Sequence, residues 1–310
     1  MKALEDAFSS AGFRRVVLPG IVITVGAHPL LKPALPFVHE MYGIEPNTLI
    51  IIEVILYGLL LSSSIQWIYY LYEGFRGSWF TKWASSYSEA RVSKLCEELR
   101  QVQAGKDWEQ LSPSNQNRAL KIYERLQDFP LRSKDGKPER FADRPTQLGN
   151  VIATYELYPE SRYGIEDIQF WNHLLFLAPA DARKEFAEQY SFAESLILTS
   201  FSGVLIALLH TLVLIAYFAG RYHPNTLTSY LSISALASTI LLACGLLIWA
   251  GFYKAAVSAH RDVSAIMRSL IDLTFPAFVE WTAKMKTANT DFDPEWQRHL
   301  SSWLKDLRRS

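Results

Sequence analysis

Hydrophobic and polar positions are sharply segregated along this chain. Two apolar blocks, about residues 16–72 and 195–252, flank a polar block at 73–194, and a second polar block, 253–310, follows. The clearest apolar runs are Ser195–Phe218 and Ser229–Phe252, about 24 residues each and without Asp, Glu, Lys or Arg. A helix of that length rises about 36 Å, enough to cross a hydrocarbon core of about 30 Å. A core helix of a water-soluble protein would show a polar face, so the pattern predicts a transmembrane hairpin. Thr48–Tyr72 reads as a further span closed by Trp67, Tyr69, Tyr70 and Tyr72, residues suited to the membrane–water interface. Val16–Ala27 is a shorter apolar run with Pro19 near its start, followed by a bent exit at Pro29, Pro33 and Pro36. With its charged lead and Val25-Gly26-Ala27 it also fits a cleaved signal peptide. As a span it completes the expectation: an all-α polytopic membrane protein with four transmembrane helices and a helical cytoplasmic domain. The domains expected are 1–72 with spans one and two, a cytoplasmic domain at 73–194, spans three and four at 195–252, and C-terminal cytoplasmic helices at 253–310.

Helix signals continue outside the spans. Trp83–Val102 holds good helix formers, Ser112-Pro113 starts a helix of about Ser114–Gln127, and Asp135-Gly136-Lys137-Pro138 marks a loop tip. Thr146 can cap a short helix ending near Tyr158-Pro159. Asp181–Phe218 contains no Pro and only one Gly, so span three is expected to begin outside the bilayer. No breaker follows Gly251 until Pro276, which extends span four to about Thr274 and makes both helices geometric couplers between membrane and cytosol.

Charge orients the spans. Residues 73–194 hold seventeen of the 31 Lys and Arg and 253–310 hold nine, whereas the loops at 29–47 and 219–228 hold one each. The positive-inside rule then places both termini and the 73–194 domain in the cytoplasm of an inner membrane. Formal net charge is zero, which gives no case for nucleic-acid binding. Cys96 and Cys244 stand far apart in sequence and in expected environment, and no Cys/His spacing suggests zinc, so neither metal nor cofactor is expected. Phosphate-loop, dinucleotide, Gly-x-Ser-x-Gly and His-Glu-x-x-His motifs are missing, so catalysis has no support.

Two groups of residues remain. Inside the apolar runs, Glu53 lies near the outer end of span two and His210 near the middle of span three. Burying an ionisable group in hydrocarbon costs at least about 2.5–3.5 kcal/mol on insertion scales, so such groups carry a reason. Glu53 reads as an acid paired with Thr48 or Lys32, or as a pore-lining carboxylate; His210 reads as a packing residue, or as a pH sensor or constriction. The second group lies at 144–171, where Glu156, Arg162, Tyr163 and Asp167 form a compact polar corner, either a structural ion-pair cluster or a ligand or partner site.

This second stretch carries a resemblance. Pro145, Thr146, Leu148, Gly149 and Asn150, then Glu156, Tyr158, Pro159, Arg162, Tyr163, Gly164 and Ile165, then Trp171, resemble the signature of a family of bacterial four-span membrane proteins. Gln147 stands where that family has Arg, Glu166 is an extra acid before Asp167, and Asn172 replaces a proline. The resemblance implies that Arg144, Asn150, Glu156, Tyr158, Arg162, Tyr163, Asp167 and Trp171 serve assembly or ligand binding. Through likeness to membrane effectors of anti-phage operons, such as the Hailong-type channel-like partner, it implies a regulated channel. The expected partners are membrane lipid, further copies of the chain, and a regulatory protein or nucleotide-type ligand at the cytoplasmic domain. The competing expectation is a membrane-anchored signalling or scaffold protein, for which Glu53 and His210 are dispensable.

Overall fold

Helix is the dominant state, as the runs of strong helix formers require, and the computed structural model describes residues 10–31, 45–74, 79–134, 137–163, 171–222 and 234–287. The helices are α1 (Ser10–Leu31), α2 (Pro46–Ser63), α3 (Ile65–Glu73), α4 (Trp79–Gln103), α5 (Pro113–Leu126), α6 (Gln147–Glu156), α7 (Tyr158–Tyr163), α8 (Trp171–Leu177), α9 (Ala180–Tyr222) and α10 (Ala235–Thr287). Between α5 and α6 a two-stranded antiparallel ribbon pairs β1 (Leu131–Lys134) with β2 (Lys137–Arg140), with Leu131 opposite Arg140 and Lys134 opposite Lys137. Of the expected loop tip, Lys137 and Pro138 belong to β2, and Asp135 and Gly136 lie outside the described residues. Contacts divide the chain into two units, Met1–Tyr72 with Glu188–Ala259 and Glu73–Ala187 with His260–Ser310.

The first unit is built on apolar helices. Among the described residues two helices are long and apolar enough to cross a membrane, Ala180–Ala219 and Ala235–Glu280. Only 28% and 11% of their most apolar windows are buried within the chain. Leu208, Leu212, Ile215 and Phe218 on α9, and Leu236, Ile240, Leu246 and Leu247 on α10, are exposed. A water-soluble protein rarely leaves such a surface bare; hydrocarbon is the solvent that suits it.

The expectation of four spans is corrected here. Span two is not one straight helix: it bends by 59° between α2 and α3, and only this bent pair taken together could make a third crossing. The serine run explains the bend, since Ser63 Oγ and Ser64 Oγ both donate to the Leu60 carbonyl, competing with the helical ladder. The expected first span, within α1, is not among the described helices that are both long and apolar enough to cross. Its uncharged apolar run, Val16–Ala27, would rise only about 18 Å. At Pro29, where the bent exit was expected to start, α1 continues as helix to Leu31, and Lys32, Pro33 and Pro36 lie outside the described residues.

Helix directions within this unit follow from their contacts. Arg15 pairs with Glu194 at 3.1 Å, Ser202 Oγ donates to the Pro19 carbonyl, and His210 meets the Gly26 carbonyl, so α1 and α9 run parallel. A Cβ on Gly20 would overlap the Val54 carbonyl and one on Gly58 the Val16 carbonyl, so α1 and α2 run antiparallel with their backbones in contact. The same holds for α9 and α10, where a Cβ on Gly203 would lie 2.6 Å from the Trp249 nitrogen and one on Gly245 2.8 Å from the Gly203 carbonyl oxygen. Glycine at the crossing lets helices without a hydrophobic drive gain dispersion contact. Tyr72, at the end of α3, donates or accepts at 2.9 Å with Ser200 Oγ and packs edge-on against Phe201.

The second unit is held by two small cores. Val92, Leu95 and Val102 of α4 close on Ala119, Ile122 and Leu126 of α5 and on Phe129, the spacing expected for facing helical stripes. Ser112 caps α5 by accepting from the Asn115 amide, with Pro113 in the first turn. The other core surrounds α6, in which every residue from Leu148 to Tyr155 is buried. His260 and Ser264 of α10 meet it: Thr154 bonds Ser264 at 2.9 Å, and the Tyr155 ring lies parallel to the fully buried His260 ring with centroids 6.4 Å apart.

Candidate functional site

The polar corner is assembled from the loop that precedes α6. Thr146 caps the helix by accepting from the Gly149 amide at 2.9 Å. Asn150, fully buried, turns its amide back on the loop. Its Oδ1 accepts from the backbone N–H of Asp143 and Arg144 (2.9 and 3.0 Å), and its Nδ2 donates to the carbonyls of Arg144 and Thr146 (2.6 and 2.8 Å). Both amide donors and both acceptor lone pairs are used, which only an Asn or Gln amide could supply. Pro145 packs on Gly74, whose φ of +100° is left-handed and leaves no room for a Cβ. Gly149 admits the carbonyl of Glu73, which would lie 2.8 Å from a Cβ there.

This frame aims Arg144 at three carboxylates. Its Nε donates to Asp143 at 2.7 Å, Nη2 to Glu156 at 3.0 Å, and Nη1 to Glu73. Burial alone would lower the guanidinium pKa, but the hydrogen bond to Asp143 and the charges of Glu156 and Glu73 outweigh it and raise the value above its ordinary one. The arrangement uses one cation to bind Glu73, the loop and the end of α6 together.

Tyr158, Arg162 and Tyr163 gather elsewhere. Tyr158 Oη donates to both oxygens of Asp272 (2.9 and 3.0 Å), Tyr163 Oη donates to Asp272 Oδ1 at 2.7 Å, and the Tyr163 ring stacks on Phe275 at 3.8 Å. The exposed Arg162 guanidinium lies 6.0 Å from the Tyr163 ring centroid. Burial first, and then the Asp272 carboxylate, pushes the Tyr158 phenol up to about 12. Glu156 and Arg162, close in sequence, therefore do not share one cluster: Glu156 goes to Arg144, and Arg162 sits beside Tyr163. Asp167 lies outside the described residues, and Trp171 opens α8 with its side chain outside them too.

A third cluster was not expected from the sequence. Asp128, 1% exposed, accepts from Arg261 Nε and Nη2 (2.6 and 2.8 Å) and from Gln147 Nε2 (2.8 Å). Gln147 thus serves the carboxylate as a neutral donor while Arg261 of α10 supplies the charge. The visible signal was the spacing of His260, Arg261, Ser264, Arg268 and Asp272 on one polar helix, which has no meaning until its partners are known.

In the membrane unit, Glu53 meets His28 Nδ1 at 3.3 Å, both side chains being mostly buried. The expected partners were Thr48 and Lys32; Lys32 lies outside the described residues. His210 is completely buried with Nε2 3.0 Å from the Gly26 carbonyl. A carbonyl can only accept, so Nε2 carries a proton, and Nδ1 has no hydrogen-bond partner among the described residues. Among the described residues the buried hydroxyls of Thr24 and Ser238 likewise have none. Among the described residues no group of three or more His, Cys, Asp or Glu is placed to hold a metal, and both cysteines are free.

Protein-family models, curated proteins and solved structures yield no match to this chain.

Proposed function

We propose that the chain is the protomer of an oligomeric membrane channel gated through its helical soluble unit. The observation that carries this reading is α10, a single helix of 53 residues whose apolar first part belongs to the membrane unit and whose polar part is held by Thr154, Tyr158, Tyr163 and Asp128. A helix resists compression and twist, so a shift imposed on the polar part is passed along the rod. The exposed apolar faces of α9 and α10 leave surface for lipid and for further copies, as a pore formed between protomers needs. In this reading the polar corner around Arg144 is an assembly element, both termini and the soluble unit are cytoplasmic, and the trigger is a regulatory protein or a nucleotide-type ligand. A role as an anti-phage effector accords with the resemblance of residues 144–171 described above.

Glu53 supplies the test. An acidic ring near a pore mouth raises the local cation concentration. Purified protein reconstituted in liposomes is expected to pass ions, and Glu53→Gln, which keeps shape and removes charge, is expected to reduce cation preference in reversal-potential measurements without loss of assembly. Unchanged selectivity would take Glu53 out of the pathway. No flux under any condition would favour a membrane-anchored scaffold.

A further inference from the structure

The exposed face of α4 changes character along its length. On the face turned inward, Ala84, Ser88, Val92 and Leu95 are buried, the last two in the core shared with α5. On the opposite face Trp83 and Tyr87, one helical turn apart, are 64% and 65% exposed. Their rings stack with centroids 6.5 Å apart and planes inclined by 20°. The same stripe runs on through Ala90 to Lys94, Glu97 and Gln101, all exposed, and is polar from Lys94 onward. Single exposed aromatics are ordinary on any surface. A stacked pair confined to one end of an otherwise polar stripe calls for a solvent that changes along the helix.

Composition around the pair is that of a membrane–water interface. From Phe75 to Tyr87 the sequence holds five aromatic residues (Phe75, Trp79, Phe80, Trp83, Tyr87), two basic ones (Arg76, Lys82) and no acid; the first acid of α4 is Glu89. Trp and Tyr favour the headgroup layer because their rings are apolar while one edge hydrogen-bonds, and Lys and Arg are drawn to anionic lipid. This segment is also the one joined to the membrane unit. There α2 exposes Ile51, Leu56 and Leu60, and α3 exposes Trp67 and Tyr70 before it ends at Glu73. Tyr72, where that unit hands over to the second, and Trp79 are seven positions apart, at most about 25 Å of extended chain. The aromatic end of α4 is therefore tethered within reach of the headgroups, and Lys94 lies about 22 Å further along the helix from Trp79.

We propose that the first turns of α4 are a bilayer-surface anchor, in which Trp83 and Tyr87 enter the headgroup layer and Lys82 gives a preference for anionic lipid. The polar stripe from Lys94 onward keeps the rest of the helix in water. A protein docking on this face would need neither the basic bias nor the short link to a membrane helix; a bilayer needs both. The second unit then touches the membrane through a helix that does not cross it, and the lipid composition of the surface bears on that unit directly. This inference rests on the membrane reading of the first unit and does not require the chain to conduct ions.

The test uses the full-length protein with Cys96→Ala and Cys244→Ala and one new cysteine, either Ser86→Cys beside the aromatic pair or Ser93→Cys two turns on. Both serines are exposed, and each cysteine is labelled with an environment-sensitive fluorophore. Nanodiscs hold phosphatidylcholine alone or with phosphatidylglycerol, and lipids with a nitroxide high on the acyl chain serve as quencher. Quenching of the first label is expected to exceed that of the second about threefold or more, and to rise with phosphatidylglycerol. Trp83→Ser with Tyr87→Ser should bring it down to the level of the second label, and Lys82→Gln should remove only the rise. Both aromatics are exposed, so the double variant is expected to keep the fold, which monodisperse elution checks. Blue-shifted emission of the first label without quenching would mean that protein covers this face, and it overturns the anchor. Equal quenching of the two labels, or none of the first, overturns it as well while leaving the membrane reading in place. A chain that does not elute with the nanodiscs refutes the membrane reading and the anchor with it.

Discussion

Asn150→Asp is expected to destabilise the second unit as severely as Asn150→Ala, by about 3–5 kcal/mol, although it is nearly isosteric. The aspartate could still accept from the Asp143 and Arg144 amides. Its second oxygen, however, would face the carbonyls of Arg144 and Thr146 at 2.6–2.8 Å, where the amide now donates. The Arg144 carbonyl loses the amide donor, at about 1–3 kcal/mol, the Thr146 carbonyl keeps only its helical bond from the Asn150 N–H, and a charge is placed on a fully buried side chain. Arg144 would then be presented by a loosened loop to Glu73, Asp143 and Glu156. Thr146→Ala, which removes only the helix cap, should cost about 1 kcal/mol. Thermal unfolding of the purified variants checks the order, and an Asn150→Asp protein as stable as the parent would refute the role assigned to the amide.

Gly203→Leu should prevent α9 and α10 from packing and leave little folded protein in the membrane. The added Cβ alone would fall 2.6 Å from the Trp249 nitrogen and 2.7 Å from the Gly245 carbonyl oxygen, which are backbone atoms that cannot swing aside. Overpacking of a side-chain core costs about 1–3 kcal/mol, and here whole helices must separate. Gly251→Leu on α10 is the control, since a Cβ at Gly251 meets nothing within 4 Å. The amount of monodisperse protein recovered from membranes, compared for the two variants, measures the difference. Equal recovery would show that the close crossing does not hold the pair together.

What could be read from the sequence was what is encoded locally. The uncharged runs of α9 and α10 are a one-dimensional property, and the caps Ser112 and Thr146 act on amides three residues away. The hairpin was missed because Leu131–Lys134 and Lys137–Arg140 show no apolar alternation, leaving only Asp-Gly as its signal. The serines at 62–64 were visible as small polar residues suited to packing, whereas the hydroxyls of Ser63 and Ser64 compete with the helical ladder at the bend. The polar corner was found as a place but not as a wiring diagram. Arg144 reaches Glu73 across 71 positions and Tyr163 reaches Asp272 across 109, and nothing in the spacing of either pair announces it. Ion pairing follows proximity in space, so the expectation that Glu156 and Arg162 share one corner had no more physical basis than their nearness in sequence.

The complete enclosure of α6 has a kinetic meaning. A helix buried on every side from Leu148 to Tyr155 cannot fray toward water one face at a time, and its end at Thr146 is sealed by the cap and by Asn150. Deuterium can reach those amides only when the surrounding elements come apart together. Their isotope exchange therefore keeps time for the opening of the whole second unit, and a molecule that bound that unit anywhere would slow this clock before it altered any single contact within the helix.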